Sequence, residues 1–279
     1  MGGCISFVVR HQHLDIQPIV TRITIYPVKS LDGISLQKAQ VGKGGCLLHD
    51  REYAILDSNG KFINGKANAL VHSLRSEVDV EQEIISLRHG SATAWNKFHL
   101  QKDIVAIDKW LSEFFDQPAR LSKNTEGRYM DIPVIAGLTI VSTASLEAVA
   151  AWFSDMDLEE TRKRFRSTIE ISAVPAFWED RLFAEQGTAI EFRIGDTIIQ
   201  GRSPRARCIV PTRHPETGDV IHGFPKTFAK HRAKSLPGWS TLEDYGHSYY
   251  LTVNCSVAPT EYGKWIATGD ELHIIGKPA

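Results

Sequence analysis

Hydrophobic and polar residues alternate over residues 19–27 (IVTRITIYP), and the β-branched content of that run predicts a strand. A second strand is expected over 35–41, followed by a turn at Gly42-Lys43-Gly44-Gly45. The run 52–56 predicts a third strand, and Ser58-Asn59-Gly60-Lys61 is a hairpin signal that returns the chain through Phe62-Ile63. Short strands are expected at 76–80 and 84–88. The period then changes: Ile104, Ile107, Trp110, Leu111 and Phe114 share one helical face, and Pro118 ends that helix before a strand at 119–122. Residues 125–137 show no period and read as a loop between domains. Beyond it the pattern predicts a strand at 138–141 and a helix capped by Ser145 that runs to about Phe153. A short helix at 159–165, a strand at 167–172 and a strand pair at 189–194 and 197–200 follow, the pair turning at Gly195-Asp196. A helix at 224–233 and strands at 248–255 and 271–275 complete the chain.

Many short strands, few helices and no β-α-β alternation imply a β-rich α+β protein. The expected division is a disordered leader at 1–18, one domain at 19–137 and a second at 138–279, which suits 279 residues. A net charge of -1 gives no global field for nucleic acid, so any anion site must be built locally. No apolar run reaches the ~20 residues of a membrane span, so no transmembrane segment is expected. Cys4, Cys46, Cys208 and Cys255 are too scattered for a disulfide scaffold, a zinc ribbon or a ferredoxin-type cluster, and a reducing, cytoplasmic location follows. Met1-Gly2-Gly3-Cys4 formally fits an acylation pattern but reads as part of the leader. Dinucleotide, Walker and nucleophile-elbow motifs do not occur.

The unusual local composition lies at residues 205–219. Arg205 and Arg207 flank Cys208, and their charge favours thiolate, the form a soft metal or an electrophile needs. The plainer reading is a small buried residue, the expected fate of Cys46 and Cys255. Lys29-Ser30, at a strand end, could hold a phosphate or simply face solvent, and Arg51 is equally open. Arg164-Phe165-Arg166 presents either two anion-binding guanidiniums or a salt-bridged helix end. His214 is either an acid–base group or a turn cap.

Together these stations resemble one family. Tyr26-Pro27-Val28-Lys29-Ser30 and Asp50-Arg51-Glu52-Tyr53 look like the N-terminal β-barrel domain that precedes MOSC domains. Arg164-Phe165-Arg166, Arg207-Cys208-Ile209-Val210-Pro211-Thr212 and Pro215-Glu216-Thr217-Gly218 look like the MOSC domain itself, as found in the mitochondrial amidoxime reducing component and its bacterial relatives. The fold implied is an N-terminal β-barrel-like domain plus a MOSC β-barrel domain with a few peripheral helices. The resemblance implies a bound molybdenum cofactor, a molybdopterin whose metal is held by the Cys208 thiolate as the catalytic ligand. It further implies cofactor contacts from Lys29, Ser30, Arg51, Arg166, Arg207, Thr212 and Tyr249. The implied activity is reduction of small N-hydroxylated substrates, with electrons from a separate ferredoxin- or cytochrome-b5-like protein and its reductase. The alternatives are a cofactor carrier without turnover and sulfur transfer through a Cys208 persulfide. Pyridoxal phosphate binding comes with the resemblance only as a property of the domain family. One departure is Ser167-Thr168, where the family often has Pro-Asn after the Arg-Phe-Arg run.

Overall fold

The computed structural model describes residues 17–126, 128–131, 135 and 137–277. The Gly2/Cys4 leader and part of the expected interdomain loop therefore lie outside the described residues. In the first segment β1 (Ile19–Ile25), β2 (Ile34–Leu36) and β3 (Lys38–Gln40) are followed by β4 (Tyr53–Asp57). The meander β5 (Leu74–Asp79), β6 (Ile84–His89) and β7 (Asn96–His99) leads to helix α1 (Ile104–Phe115) and strand β8 (Ala119–Lys123). Val28, Tyr53, Ile55, Leu74, Leu87, Ile107 and Leu111 bury their side chains together here, which is why the helical and alternating periods were both visible in the sequence.

The second segment comprises β9 (Thr139–Ser142), α2 (Thr143–Ala150), α3 (Leu158–Phe165), β10 (Ile169–Ser172), β11 (Ile190–Ile194) and β12 (Thr197–Ala206). It ends with α4 (Phe224–Lys234), β13 (Tyr250–Ser256), β14 (Trp265–Ala267) and β15 (Leu272–Gly276). Eight strands form one sheet in the order β15-β11-β12-β13-β9-β10-β1-β2. β1 and β2 come from the first segment, so the main sheet is shared. The sheet also bends back on itself: Ile19 bridges Glu271, Val20 N–H donates to Asp270 O at 2.9 Å, and Leu272 N–H donates to Pro18 O at 2.8 Å. This joins the start of β1 to β15 and closes a barrel around Ile23, Ile140, Phe192, Ile199 and Val253. Helices α2, α3 and α4 pack outside it through Leu146, Phe165, Phe224 and Phe228.

The structure is the expected β-rich α+β fold, with local corrections. The strand expected at 35–41 is split at Gln37, because β2 pairs with β1 while β3 pairs with β14. Ser142, not Ser145, caps α2: its side chain accepts from Ser145 N–H, and the helix ends at Ala150 rather than Phe153. Strand β12 runs to Ala206 instead of stopping at Gln200, so Arg205 stands on a strand and only Arg207 onward leaves it. Gly201 and Pro204 disguised that length, and register shifts beside both accommodate them. Strands β7 and β14 have no alternating signature, Asn96–His99 having Phe98 as its one apolar residue and Trp265–Ala267 being only three residues long. Among the described residues, no helix is long and apolar enough to cross a membrane.

Candidate functional site: a cationic cavity beside Cys208

A cavity of about 490 Å³ lies where the two segments meet, in the range of small-molecule and cofactor sites. Among the described residues, twelve lysines and arginines line it against four aspartates and glutamates. A chain of net charge -1 thus concentrates positive charge in one place. The expected residues Lys29, Ser30, Arg51, Arg166, Arg207 and Cys208 all line this cavity, as does Arg205.

Each is placed by local structure. The end of β1 carries Tyr26, whose N–H donates to the fully buried Asp50 carboxylate at 2.8 Å. Asp50 also holds the Arg51 guanidinium, and Arg51 N–H donates to Tyr26 O at 2.8 Å. The Tyr26 ring then carries two cations, with Arg51 4.8 Å and Arg166 4.0 Å from its centre. Ser30, Arg51 and Arg166 all have left-handed backbones, with φ of 73°, 49° and 53°. Each such residue costs on the order of 1–3 kcal/mol, a strain that clusters at functional sites. Arg166 adopts it as the residue that ends α3, its N–H donating to Arg162 O at 2.9 Å. None of the three positions is glycine or asparagine, so the sequence carries no hint of the strain.

The electrostatics divide the cations into two sets. Lys29 donates to Tyr129 O at 2.8 Å and to the Asp131 carboxylate at 2.7 Å. Arg205 is tied to Asp131 and to the Asn254 side chain, both at 3.1 Å. Arg207 and Arg166 have no carboxylate partner among the described residues. Arg207 donates once, to Phe165 O at 2.7 Å, while its buried Nε and Nη1 have no partner. Burial first, and then the like charge of Arg205, lowers the Arg207 pKa. Arg166 is lowered by burial and by Arg51, partly opposed by Tyr26. Both remain cations at neutral pH, because an arginine does not give up its proton there. Buried guanidinium nitrogens without acceptors are costly, and an anionic ligand is the group that would satisfy them.

Of the free cysteines among the described residues, Cys46 and Cys255 are buried and only Cys208 is exposed. Two expected contacts are not brought into the cavity lining. Thr212 is buried, and its hydroxyl donates to Ile209 O at 2.7 Å, fixing the turn behind the wall. The Tyr249 hydroxyl donates to Cys208 O at 3.2 Å, so it braces the cysteine backbone from outside. Arg164 fulfils the structural alternative: it pairs with Glu160 and donates to Pro211 O at 2.8 Å, pinning the 205–219 stretch to α3. His214 caps its own turn, accepting from Glu216 N–H at 3.2 Å and Thr217 N–H at 3.3 Å. The sequence missed four residues that line the same cavity: Asp131 and Lys66 on loops, Arg75 on β5, and Arg213 within the 205–219 stretch.

The donor set suits an anionic ligand bound beside a thiol. Unpartnered guanidinium N–H groups await oxygen acceptors, and one exposed thiol shares the cavity with them. Among the described residues no group of three or more His, Cys, Asp and Glu is placed to hold a metal ion. A metal at Cys208 would therefore draw most of its ligands from a cofactor.

Residues 17–118 match the MOSC N-terminal beta barrel domain, and residues 136–273 match the MOSC domain. The chain is similar to molybdenum cofactor sulfurase of Homo sapiens, 22% identical over 292 residues that cover 86% of this chain and 32% of the human protein. It thus spans about a third of that relative's length. It is also similar to mitochondrial amidoxime-reducing component 1 of Danio rerio, 22% identical over 289 residues covering 89% of this chain and 85% of the fish protein. Among solved structures, the YUAD protein from Bacillus subtilis aligns with a TM-score of 0.38 and 11% identity, over 92% of this chain and 94% of that one.

Proposed function

From the premise that this chain belongs to the MOSC family, a MOSC N-terminal beta barrel domain leading into a MOSC domain, we propose that its cavity holds the molybdenum cofactor and reduces N-hydroxylated substrates. The observation that supports this most is the placement of Arg207 and Cys208 in one cavity, the arginine with two buried unpartnered nitrogens and the cysteine exposed. Cys208 would give the metal one thiolate. Lys29, Ser30, Arg51, Arg166 and Arg207 would hold the anionic and polar parts of the pterin. When bound, the cofactor supplies a two-electron redox couple, and the protein positions and tunes it.

The residues of this chain have three tasks. The cations neutralise the ligand, the Tyr26 platform fixes Arg51 and Arg166 in place, and Tyr249 holds the Cys208 backbone. The net reaction breaks one N–O bond: an amidoxime, two electrons and two protons give an amidine and water. The electrons would come from a separate donor protein. The name of the fish relative favours this reduction, and that of the human relative favours handling of the cofactor's sulfur. The second reading, a carrier without turnover, rests on the exposure of the Cys208 thiol.

Expression in a host that makes the cofactor, followed by metal and pterin analysis, tests the premise. About one molybdenum per chain and conversion of benzamidoxime to benzamidine with a chemical reductant are expected. Cys208→Ala should lose that turnover. Bound cofactor without turnover identifies the carrier instead, and protein free of molybdenum and pterin overturns both.

A further inference from the structure

We infer that the Asp131 carboxylate is a built-in competitor, filling an anion position among Lys29, Lys66 and Arg205 that a ligand dianion must take over. The inference rests on the reading of this cavity as an anion site. Three cations converge on one side chain: Asp131 lies 2.7 Å from Lys29, 3.9 Å from Lys66 and 3.1 Å from Arg205. Their sequence distance from Asp131 ranges from 65 to 102 positions, so only the fold assembles the cluster. Burial alone would raise the Asp131 carboxyl, but the charges of Lys29, Lys66 and Arg205 hold it well below the usual carboxylate range. It is therefore fully ionised at neutral pH.

Asp131 differs from Asp32 and Glu170, and from Glu159, which shares only the two arginines Arg22 and Arg162, in gathering three cations. Asp32 accepts from Ser76 N–H at 2.9 Å and faces Arg75 at 3.2 Å. Glu170 is buried, takes two guanidinium bonds from Arg162 and one from the Thr143 hydroxyl, and so is part of the wall. No backbone N–H holds the Asp131 side chain among the described residues, and its partners are long, adjustable cations with which a ligand can also bond. A carboxylate with one negative charge is displaced by a phosphate dianion more readily than by another monoanion, since the Coulomb attraction to the same three cations doubles. Asp131 thereby sets a selectivity threshold. Chloride and acetate gain nothing by exchange, whereas a phosphate ester does.

The test measures binding of inorganic phosphate to the cofactor-free full chain at pH 8 by calorimetry. Asp131→Asn should bind phosphate at least tenfold more tightly than the unmutated protein. Asp32→Asn removes the same charge from the same cavity wall and should change affinity less than threefold. Unchanged or weaker binding by Asp131→Asn, or equal tightening by Asp32→Asn, overturns the inference. In the unmutated protein, carbon-13 spectra should show the Asp131 carboxyl resonance moving as phosphate saturates, and a stationary resonance likewise overturns it. Molybdenum content of protein from a cofactor-making host is read separately, so failure of the cofactor reading leaves this result standing, and the reverse.

Discussion

At the scale of single residues, Arg207 carries a guanidinium that the fold satisfies only in part. Its guanidinium donates to Phe165 O, yet Nε and Nη1 are buried without acceptors. An uncompensated buried cation destabilises the protein that carries it. Arg207→Met replaces the apolar stem of the side chain and removes the unpaired charge. It is expected to stabilise the cofactor-free protein by about 1–3 kcal/mol, a melting point a few degrees higher. The same variant should purify without molybdenum. A calorimetric scan showing a lower melting point would mean that the Phe165 bond outweighs the orphaned nitrogens. Part of this site was legible in the sequence, because Lys29-Ser30, Arg51, Arg166 and Arg207-Cys208 lie in compact local patterns. Asp131 and Lys66 were not. They meet Lys29 and Arg205 only through tertiary folding, and their neighbours in sequence carry no motif. Thr212 and Tyr249 lie close to Cys208 in the chain or sheet, but proximity did not decide which way their hydroxyls point.

At the scale of elements, the signals that worked were periodic and those that failed were polar. Ile23 and Ile25 alternate on β1, with Val20 joining them through the register shift before Arg22, and Ile107, Leu111 and Phe115 recur on α1, so both elements could be read directly. The turn Trp178–Leu182 could not, since Trp-Glu-Asp-Arg-Leu looks like a surface loop and is a buried cross-link. Its Asp180 pairs with Arg232 of α4, and its Glu179 accepts from the Ser145 hydroxyl of α2 at 2.9 Å. Burial, followed by the charge of Asp180, pushes Glu179 up to about 7 from an ordinary value of 4.5. A raised carboxyl contributes stability that is fully present below the unfolded value and is lost as pH rises through the folded one. Between pH 5.5 and 8.5 this group should remove about 2 kcal/mol of unfolding free energy. Glu179→Gln keeps the acceptor for Ser145 and cannot ionise, so its urea midpoint should change less over that interval. Parallel pH profiles for the two proteins would show that Glu179 is already ionised at pH 5.5.

At the scale of the whole molecule, the two matched segments are not separable bodies, because β1 belongs to the barrel of the other segment. Val20, Ile23 and Ile25 are at most 1% exposed and pack in the same cluster as Ile169, Phe192 and Val253. Burying three such side chains contributes about 5–9 kcal/mol at the usual value per residue. That is comparable with the entire 5–15 kcal/mol that holds a typical domain together. Without β1, strand β10 also loses its antiparallel partner from Ile19 to Ile23, and β15 loses the bridge that closes the barrel. Residues 138–279 alone should therefore give no cooperative thermal transition by circular dichroism. Adding residues 1–137 should restore one, because the chain break at 137/138 falls outside every strand that crosses between the segments. The cavity follows the same logic, since Lys29, Ser30 and Arg51 come from one segment and Arg166, Arg207 and Cys208 from the other. Phosphate binding should appear only in the reconstituted pair. A cooperative transition from residues 138–279 by themselves would show that the barrel closes without β1, and the shared strand would then serve the site rather than the stability of the fold.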